Sequence, residues 1–302
     1  MTSSPPAERR VMFVHAHPDD EASQTAATMA RYAAEGAQVT LVTCTLGEEG
    51  EIVAEDLAHL REDDALGRHR VTELTEAMAA LGVEDFVRLG GDGTYRDSGM
   101  AYDERGGVVP APVVHEDSFW RADLLQAADH LVALIRDRRP QVVITYDQFG
   151  GYGHPDHVQA HRVTTYAVAL AQTASYRRDL GPAWTVSRLL WSAMAVSAMR
   201  RALQRLRESG DTESFSDWDV EGDEIPPTLV ADDDIDVRIP GDDWAGHKAA
   251  ALRAHRSQVD LEHPFWRLIT SGEGWSDEYY RLAQGVPFPG EGMADDVFAG
   301  LL

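Results

Sequence analysis

Two apolar runs, at residues 11–15 and 39–43, flank an alanine-rich segment over 21–35 that is followed by Gly36. Apolar runs this short read as buried strands, the segment between them has helical spacing, and Gly36 is placed to end the helix. Strand, helix and strand in so few residues make a βαβ unit, whose two strands lie parallel across a right-handed crossover. The same alternation continues. A charged helical stretch ends near Leu81-Gly82, a short strand follows at 86–89, and Gly90-Gly91-Asp92-Gly93 opens a long loop. A helix over about 119–137 is stopped by Pro140, a strand occupies 142–146, and a Gly-rich loop at 147–155 leads into a helix over 156–171. The first 170 residues therefore predict a doubly wound α/β sheet.

The rest is less regular: a strand at 189–191, a helix running to about 207, and an acidic stretch at 211–224 expected as a surface loop. Two short strands are expected within 229–239, around Asp232-Asp233-Asp234, and a helix over 244–259. The expected organisation is a Rossmann-like core over 1–175 and a smaller C-terminal part over 176–302. The latter completes the sheet and walls the pocket, within one continuous domain.

With 27 basic and 51 acidic residues the formal net charge is −24. A surface this negative repels phosphate backbones and anionic headgroups, so neither nucleic acid nor a membrane is an expected partner. The run at 11–14 is too short for the core of a signal peptide, and no stretch approaches a membrane span. The expected location is the cytoplasm. Cys44 is the single cysteine, which excludes an internal disulfide and any thiolate-rich cluster. Cys44 itself reads as a small buried hydrophobe. A metal, if the chain uses one, must be held by His and carboxylate.

Two segments look like copies of one device. His15-Ala16-His17-Pro18-Asp19-Asp20-Glu21 follows the first strand, and Gly153-His154-Pro155-Asp156-His157 follows the strand at 142–146. Helix capping explains one Asp in each motif, because Asp and Pro favour helix starts. It does not explain His17, His154 and His157 at the carboxyl ends of strands, where open α/β sheets bind ligands. Two imidazoles and a carboxylate with one open position form a catalytic zinc site. His17, Asp20 and His157 are the candidate ligands. Asp19, adjacent to a ligand and unable to point the same way, is the candidate base for the attacking water. His154 could bond a substrate carbonyl oxygen or protonate a leaving amine, with Asp156 orienting it and holding it cationic. Water activation together with oxyanion stabilisation is amide or ester hydrolysis.

At these residues the chain resembles the PIG-L-like (LmbE-like) family of zinc-dependent deacetylases. The resemblance implies a Rossmann-like fold, one zinc ion per subunit and acetylated glucosamine derivatives as small-molecule substrates. It extends to Thr45-Leu46-Gly47-Glu48-Glu49-Gly50-Glu51, to Tyr95-Arg96-Asp97-Ser98-Gly99-Met100 and to Thr145-Tyr146-Asp147. These segments are similar to the branch of the family that removes acetyl from N-acetylglucosaminyl-inositol in mycothiol biosynthesis. The resemblance covers residues 11–170 and is thinner beyond, with Trp184-Thr185-Val186 and Ala251-Leu252-Arg253-Ala254-His255 as later traces. It implies His17, Asp20 and His157 as ligands, Asp19 as base, His154 as electrostatic or acid partner, and Tyr152 as a mobile group at the carbonyl. It also implies Arg70, Asp97 and Glu51 as contacts to sugar and inositol hydroxyls. Iron(II) would suit the same donors. Two other readings remain: an amidase acting on mycothiol thiol conjugates, and a non-catalytic sugar-binding module. Gly153 and Glu49 stand where the amidase favours Pro and Arg, and a binding module has no use for Asp19.

Overall fold

The computed structural model describes residues 9–208, 210–213, 228–260, 262–270 and 276–301. Alternate side chains of β1 (Arg10–His15) enter different cores. Val11 and Phe13 pack in one cluster with α1 (Ala26–Ala34), α2 (Leu66–Leu81) and α7 (Ala245–Ala254). Met12 and Val14 pack in the other with α3 (Leu124–Arg138) and α5 (Pro155–Ala171). Burial on both faces is why this strand reads as an unbroken apolar run.

Parallel neighbours flank β1: β2 (Gln38–Thr43) on one side and β6 (Val142–Thr145) on the other. Outside them lie β3 (Asp85–Arg88) and β7 (Arg188–Ala193), also parallel. Two antiparallel strands from the C-terminal part, β8 (Val237–Ile239) and β9 (Glu278–Gly285), complete a seven-stranded sheet of order β3-β2-β1-β6-β7-β9-β8. The winding reverses between β1 and β6. The loops after these two strands therefore open on one crevice, and both His-Pro-Asp segments stand there. A hairpin of β4 (Met100–Tyr102) and β5 (Val108–Pro110) contributes to the crevice wall. The short α4 (Gly150–Gly153) precedes α5, and α6 (Val196–Glu208) and α8 (Pro264–Ile269) lie in the C-terminal part. Among the described residues no helix is long and apolar enough to cross a membrane.

The mostly parallel doubly wound sheet is as expected, but several elements depart from the sequence reading. The helix over 21–35 opens with a π-helical turn, Glu21–Thr25, whose last residue leaves helical backbone at φ −137° and pairs its hydroxyl with His15 Nε2 at 2.9 Å. Such widened turns cluster at functional sites. The charged stretch before Gly82 is a 3-10 segment, Glu55–Asp64, and then α2. The helix over 119–137 is broken at Ala122, which is extended, so Asp123 caps α3 by accepting from Gln126 N at 2.9 Å. The helix over 244–259 stops at Ala254, because His255 turns out of helical backbone (ψ 50°). Between 229 and 239 only β8 is a strand; Val230 makes a single bridge to Ala195. The acidic stretch lies outside the described residues from 214 to 224. Cys44 is buried, and burial raises its thiol pKa, as suits a small hydrophobe.

Candidate metal centre and active site

Both motifs deliver their side chains from strand ends. His154 is the N-cap of α5: its Nδ1 accepts from the backbone N of Asp156 at 3.1 Å, and Pro155 takes the first helical position. That capping bond leaves the proton of a neutral His154 on Nε2. Burial, followed by the neighbouring His17 and His157, pushes the His154 pKa down to about 2, so the ring is neutral. The Asp156 carboxylate was expected against His154 and instead faces elsewhere. Its oxygens accept from Ser98 N at 2.9 Å and Ser98 Oγ, and Oδ2 lies 3.3 Å from His17 Nε2. The backbone of Asp156, not its carboxylate, holds His154.

Asp20 lies between the two other imidazoles. Oδ2 is 3.5 Å from His17 Nδ1 and Oδ1 is 3.4 Å from His157 Nε2. The carboxylate also accepts from His17 N at 3.0 Å, from Gln24 Nε2 at 3.1 Å and from the Tyr146 hydroxyl at 2.7 Å. Although burial opposes it, the positive charge that His157 and His17 bring when protonated holds its carboxyl well below the usual range. His157 stacks on Tyr146 at 4.2 Å and 17°, and its Nδ1 lies 3.1 Å from the Gly150 carbonyl oxygen. That oxygen only accepts, so Nδ1 carries a proton, and in the neutral ring Nε2 keeps a lone pair. Nε2 is buried and has no hydrogen-bond partner among the described residues. A lone pair facing a carboxylate in a buried site fits a cation between them. Gly150 stands at φ +66°, and a Cβ there would lie 2.7 Å from His157 Cβ, so the close packing needs glycine.

Donor atoms of His17, His154 and His157 lie within 4.8 Å of one another, as do those of His17, Asp97 and Asp156. Asp20 bridges His17 and His157 through different oxygens and joins neither group. The residues can thus hold a metal ion. Burial would discharge His17, but the Asp97 charge and hydrogen bonds with Asp156 and Asp20 outweigh it and keep the imidazole well above its ordinary pKa. Asp97 Oδ1 sits 3.4 Å from His17 Nε2 and accepts from Gly99 N at 2.9 Å, and Oδ2 accepts from Glu49 N at 3.2 Å. Asp156 and Asp97 therefore both meet Nε2 of His17 and fix the orientation of its ring.

Asp19 takes a different direction. Its backbone is at φ +122°, unusual for a side chain other than glycine, and Oδ2 accepts from Arg70 Nη2 at 2.9 Å. Burial pushes the Asp19 carboxyl up to about 6, against the opposing charge of Arg70. Arg70, expected at sugar hydroxyls, is buried. Its guanidinium also donates to Gly47 O at 2.8 Å and to Pro18 O, and Nε has no partner among the described residues. Gly47 at φ +69° makes this possible: a Cβ there would fall 2.1 Å from Arg70 Nη1.

One cavity of about 530 Å³ gathers His17, Asp19, Asp20, Glu51, Arg70, Asp97, Tyr152 and His154, with hairpin residues Met100 and Tyr102 and with Gln258. His157 lies beneath, edge-on to Tyr152 at 5.0 Å. Tyr152 is 47% exposed at the mouth, and Glu51 is exposed at the rim. Sequence reasoning missed Tyr146, Ser98, Glu21, His255 and Gln258. For Tyr146 a signal existed: a phenol at the end of a strand beside the switch point.

A buried histidine–carboxylate donor set in the crevice of a doubly wound sheet defines an α/β protein able to carry a metal centre. Residues 12–168 match the family model described as PIG-L: GlcNAc-PI de-N-acetylase, and the chain belongs to that family. It is 54% identical over 299 residues to 1D-myo-inositol 2-acetamido-2-deoxy-alpha-D-glucopyranoside deacetylase of Kribbella flavida, covering 97% of this chain and 98% of the relative. It is 53% identical over 300 residues to the protein of the same name from a Nocardioides species, covering 97% and 99%. The fold is similar to that of N,N'-diacetylchitobiose deacetylase from Pyrococcus horikoshii, with a TM-score of 0.60 and 19% identity over 92% of this chain and 85% of that one.

Proposed function

We propose that the chain is a metal-dependent hydrolase that removes the acetyl group from N-acetylglucosaminyl-myo-inositol, releasing acetate and the free glucosamine amine. The observation that carries this reading is the unpartnered His157 Nε2 turned to the Asp20 carboxylate, beside a second carboxylate, Asp19, that points into the same cavity. Near-full-length identity to relatives named as that deacetylase supports the substrate.

His17, Asp20 and His157 would hold the ion, zinc or iron(II). When bound, such an ion supplies a Lewis acid for the amide carbonyl and lowers the pKa of water beside it. Asp19 takes the proton of the attacking water; burial has raised its carboxyl toward neutrality, which suits a base working near pH 7. His154, neutral with its proton on Nε2, donates to the oxygen that gains charge as the carbonyl becomes tetrahedral. A ring pushed this far down is a hydrogen-bond donor rather than the acid, so the proton held by Asp19 goes on to the departing amine. Tyr152 offers a second donor from the cavity mouth. Asp97 and Glu51 present carboxylate oxygens to sugar and inositol hydroxyls, and Arg70 fixes Asp19.

The test measures acetate release from N-acetylglucosaminyl-inositol, from N-acetylglucosamine and from a bulky mycothiol conjugate, with metal content determined in the same sample. Chelation should abolish activity and added divalent metal restore it. Asp19→Asn should lower kcat by about 10²- to 10⁴-fold. Faster cleavage of the conjugate than of the acetylated pseudodisaccharide favours the amidase reading, and tight sugar binding with no acetate favours the binding module. Full activity of metal-free Asp19→Asn protein overturns the proposal.

A further inference from the structure

Outside the residues given roles above, the most unusual arrangement is a buried acid–imidazole pair directly behind Asp19. Glu21 and His255 are both 0% exposed, and Oε1 of Glu21 lies 2.5 Å from Nε2 of His255. The other carboxylate oxygen, Oε2, accepts from the backbone N of Asp19 at 2.8 Å. On the other side of its Cα, in the next peptide plane, Asp19 O accepts from Ala22 N and Ser23 N, each at 3.0 Å, in the turn that leads into the π-helical segment. The side chain of Asp19 is held by Arg70 at 2.9 Å. The backbone between these anchors stands at φ +122°, far beyond the left-handed helical region that other non-glycine residues of this chain visit at φ 33–52°. An L residue keeps such a conformation only when its surroundings over-determine it.

We infer that the Glu21–His255 pair is a positioning device for Asp19: it holds the Asp19 backbone in this strained conformation and so aims the carboxylate into the cavity. The inference rests on reading Asp19 as the base. His255 reaches the site because α7 ends at Ala254 and the chain turns out of the helix at that residue. The C-terminal part thereby controls a residue that lies 236 positions earlier in the sequence. Without Glu21 the Asp19 N–H loses its acceptor, the peptide relaxes toward negative φ, and the carboxylate swings off its line to the cavity. Neither Glu21 nor His255 lines the cavity, so neither touches substrate; both act through Asp19.

The test uses the metal-loaded full chain and three variants. Glu21→Ala should lower kcat about 100-fold, as expected for a base displaced by about 1 Å, while KM and metal content stay within about threefold of wild type. Glu21→Gln keeps an acceptor for Asp19 N–H. Its amide can donate to His255 Nε2 if the imidazole proton moves to Nδ1, which is buried without a partner among the described residues. Glu21→Gln should therefore recover at least about tenfold over Glu21→Ala, which a loss of general packing would not allow. His255→Gln should fall between the two, and it carries the same prediction if Glu21→Ala fails to fold. A crystal structure of either damaged variant should show Asp19 at negative φ. The inference is overturned by wild-type kcat in Glu21→Ala or His255→Gln, by equal loss in Glu21→Gln and Glu21→Ala, or by Asp19 remaining near φ +122° without Glu21. If the wild-type chain releases no acetate, the hydrolase reading fails, and Asp19 φ in wild-type and Glu21→Ala crystals still decides this inference.

Discussion

Replacing Tyr146 by Phe removes one oxygen from the centre of the candidate metal site and leaves its shape alone. Tyr146 is 1% exposed, and its ring stacks on His157 at 4.2 Å, a contact that Phe retains. The hydroxyl accepts from Ala16 N at 2.8 Å and donates to Asp20 Oδ2 at 2.7 Å. Its loss strands a buried backbone N–H, at a cost of about 1–3 kcal/mol, and removes a charge-assisted bond of about 1.5–3 kcal/mol. Asp20 keeps its bonds from His17 N and Gln24 Nε2, so part of the second term is recovered. A net destabilisation of about 2–4 kcal/mol is expected in metal-free protein, read as a lower urea midpoint at unchanged m. Partners that orient a ligating carboxylate are worth about 10- to 100-fold in metal affinity, or about 1.4–2.8 kcal/mol. Competition against a chromogenic chelator measures that directly. Metal affinity within about twofold of wild type, with the urea midpoint lowered as calculated, would refute the assignment of Asp20 as a ligand. An unchanged midpoint would refute the hydrogen-bond accounting.

Two further perturbations probe the supports of the site. Gly47→Ala places a Cβ 2.1 Å from Arg70 Nη1 on backbone at φ +69°. It should cost about 1–2 kcal/mol in backbone strain alone and lower kcat at least about tenfold by loosening Arg70 from Asp19; wild-type kcat in a folded variant contradicts the role of Arg70. Lys248→Met unpairs buried Glu278, 3.0 Å from Lys248 Nζ. Breaking such a pair costs about 3–5 kcal/mol, and the low end applies because Glu278 still accepts from Ala27 N, Thr28 N and Thr28 Oγ1. A denaturant midpoint equal to wild type would show that those donors suffice by themselves.

The parts of this protein that were legible in the sequence are those whose cause is local. β1 and β6 are covered on both faces, so their apolar runs stand out, and the reversal of winding between them is implied once both loops carry His-Pro-Asp. β9 was illegible: Glu278-Tyr279-Tyr280-Arg281-Leu282 mixes a buried acid paired with Lys248 into a strand near the sheet edge, and no alternation survives. The hairpin of β4 and β5 has three-residue strands that are largely exposed, too short for any period. Within the site, residue types announced the donors but not their orientation. Asp156 was expected to hold His154 through its carboxylate because the two share a motif. At the start of a helix, however, the backbone N–H two residues after the cap needs an acceptor, and His154 Nδ1 supplies it. That leaves the Asp156 side chain free to reach His17 and Ser98. One capping bond thus fixes the tautomer of His154 and assigns the nearest carboxylate to a different imidazole. A motif read as capping and a motif read as chemistry are here the same geometry, and the capping bond decides which nitrogen of His154 is left to meet a substrate.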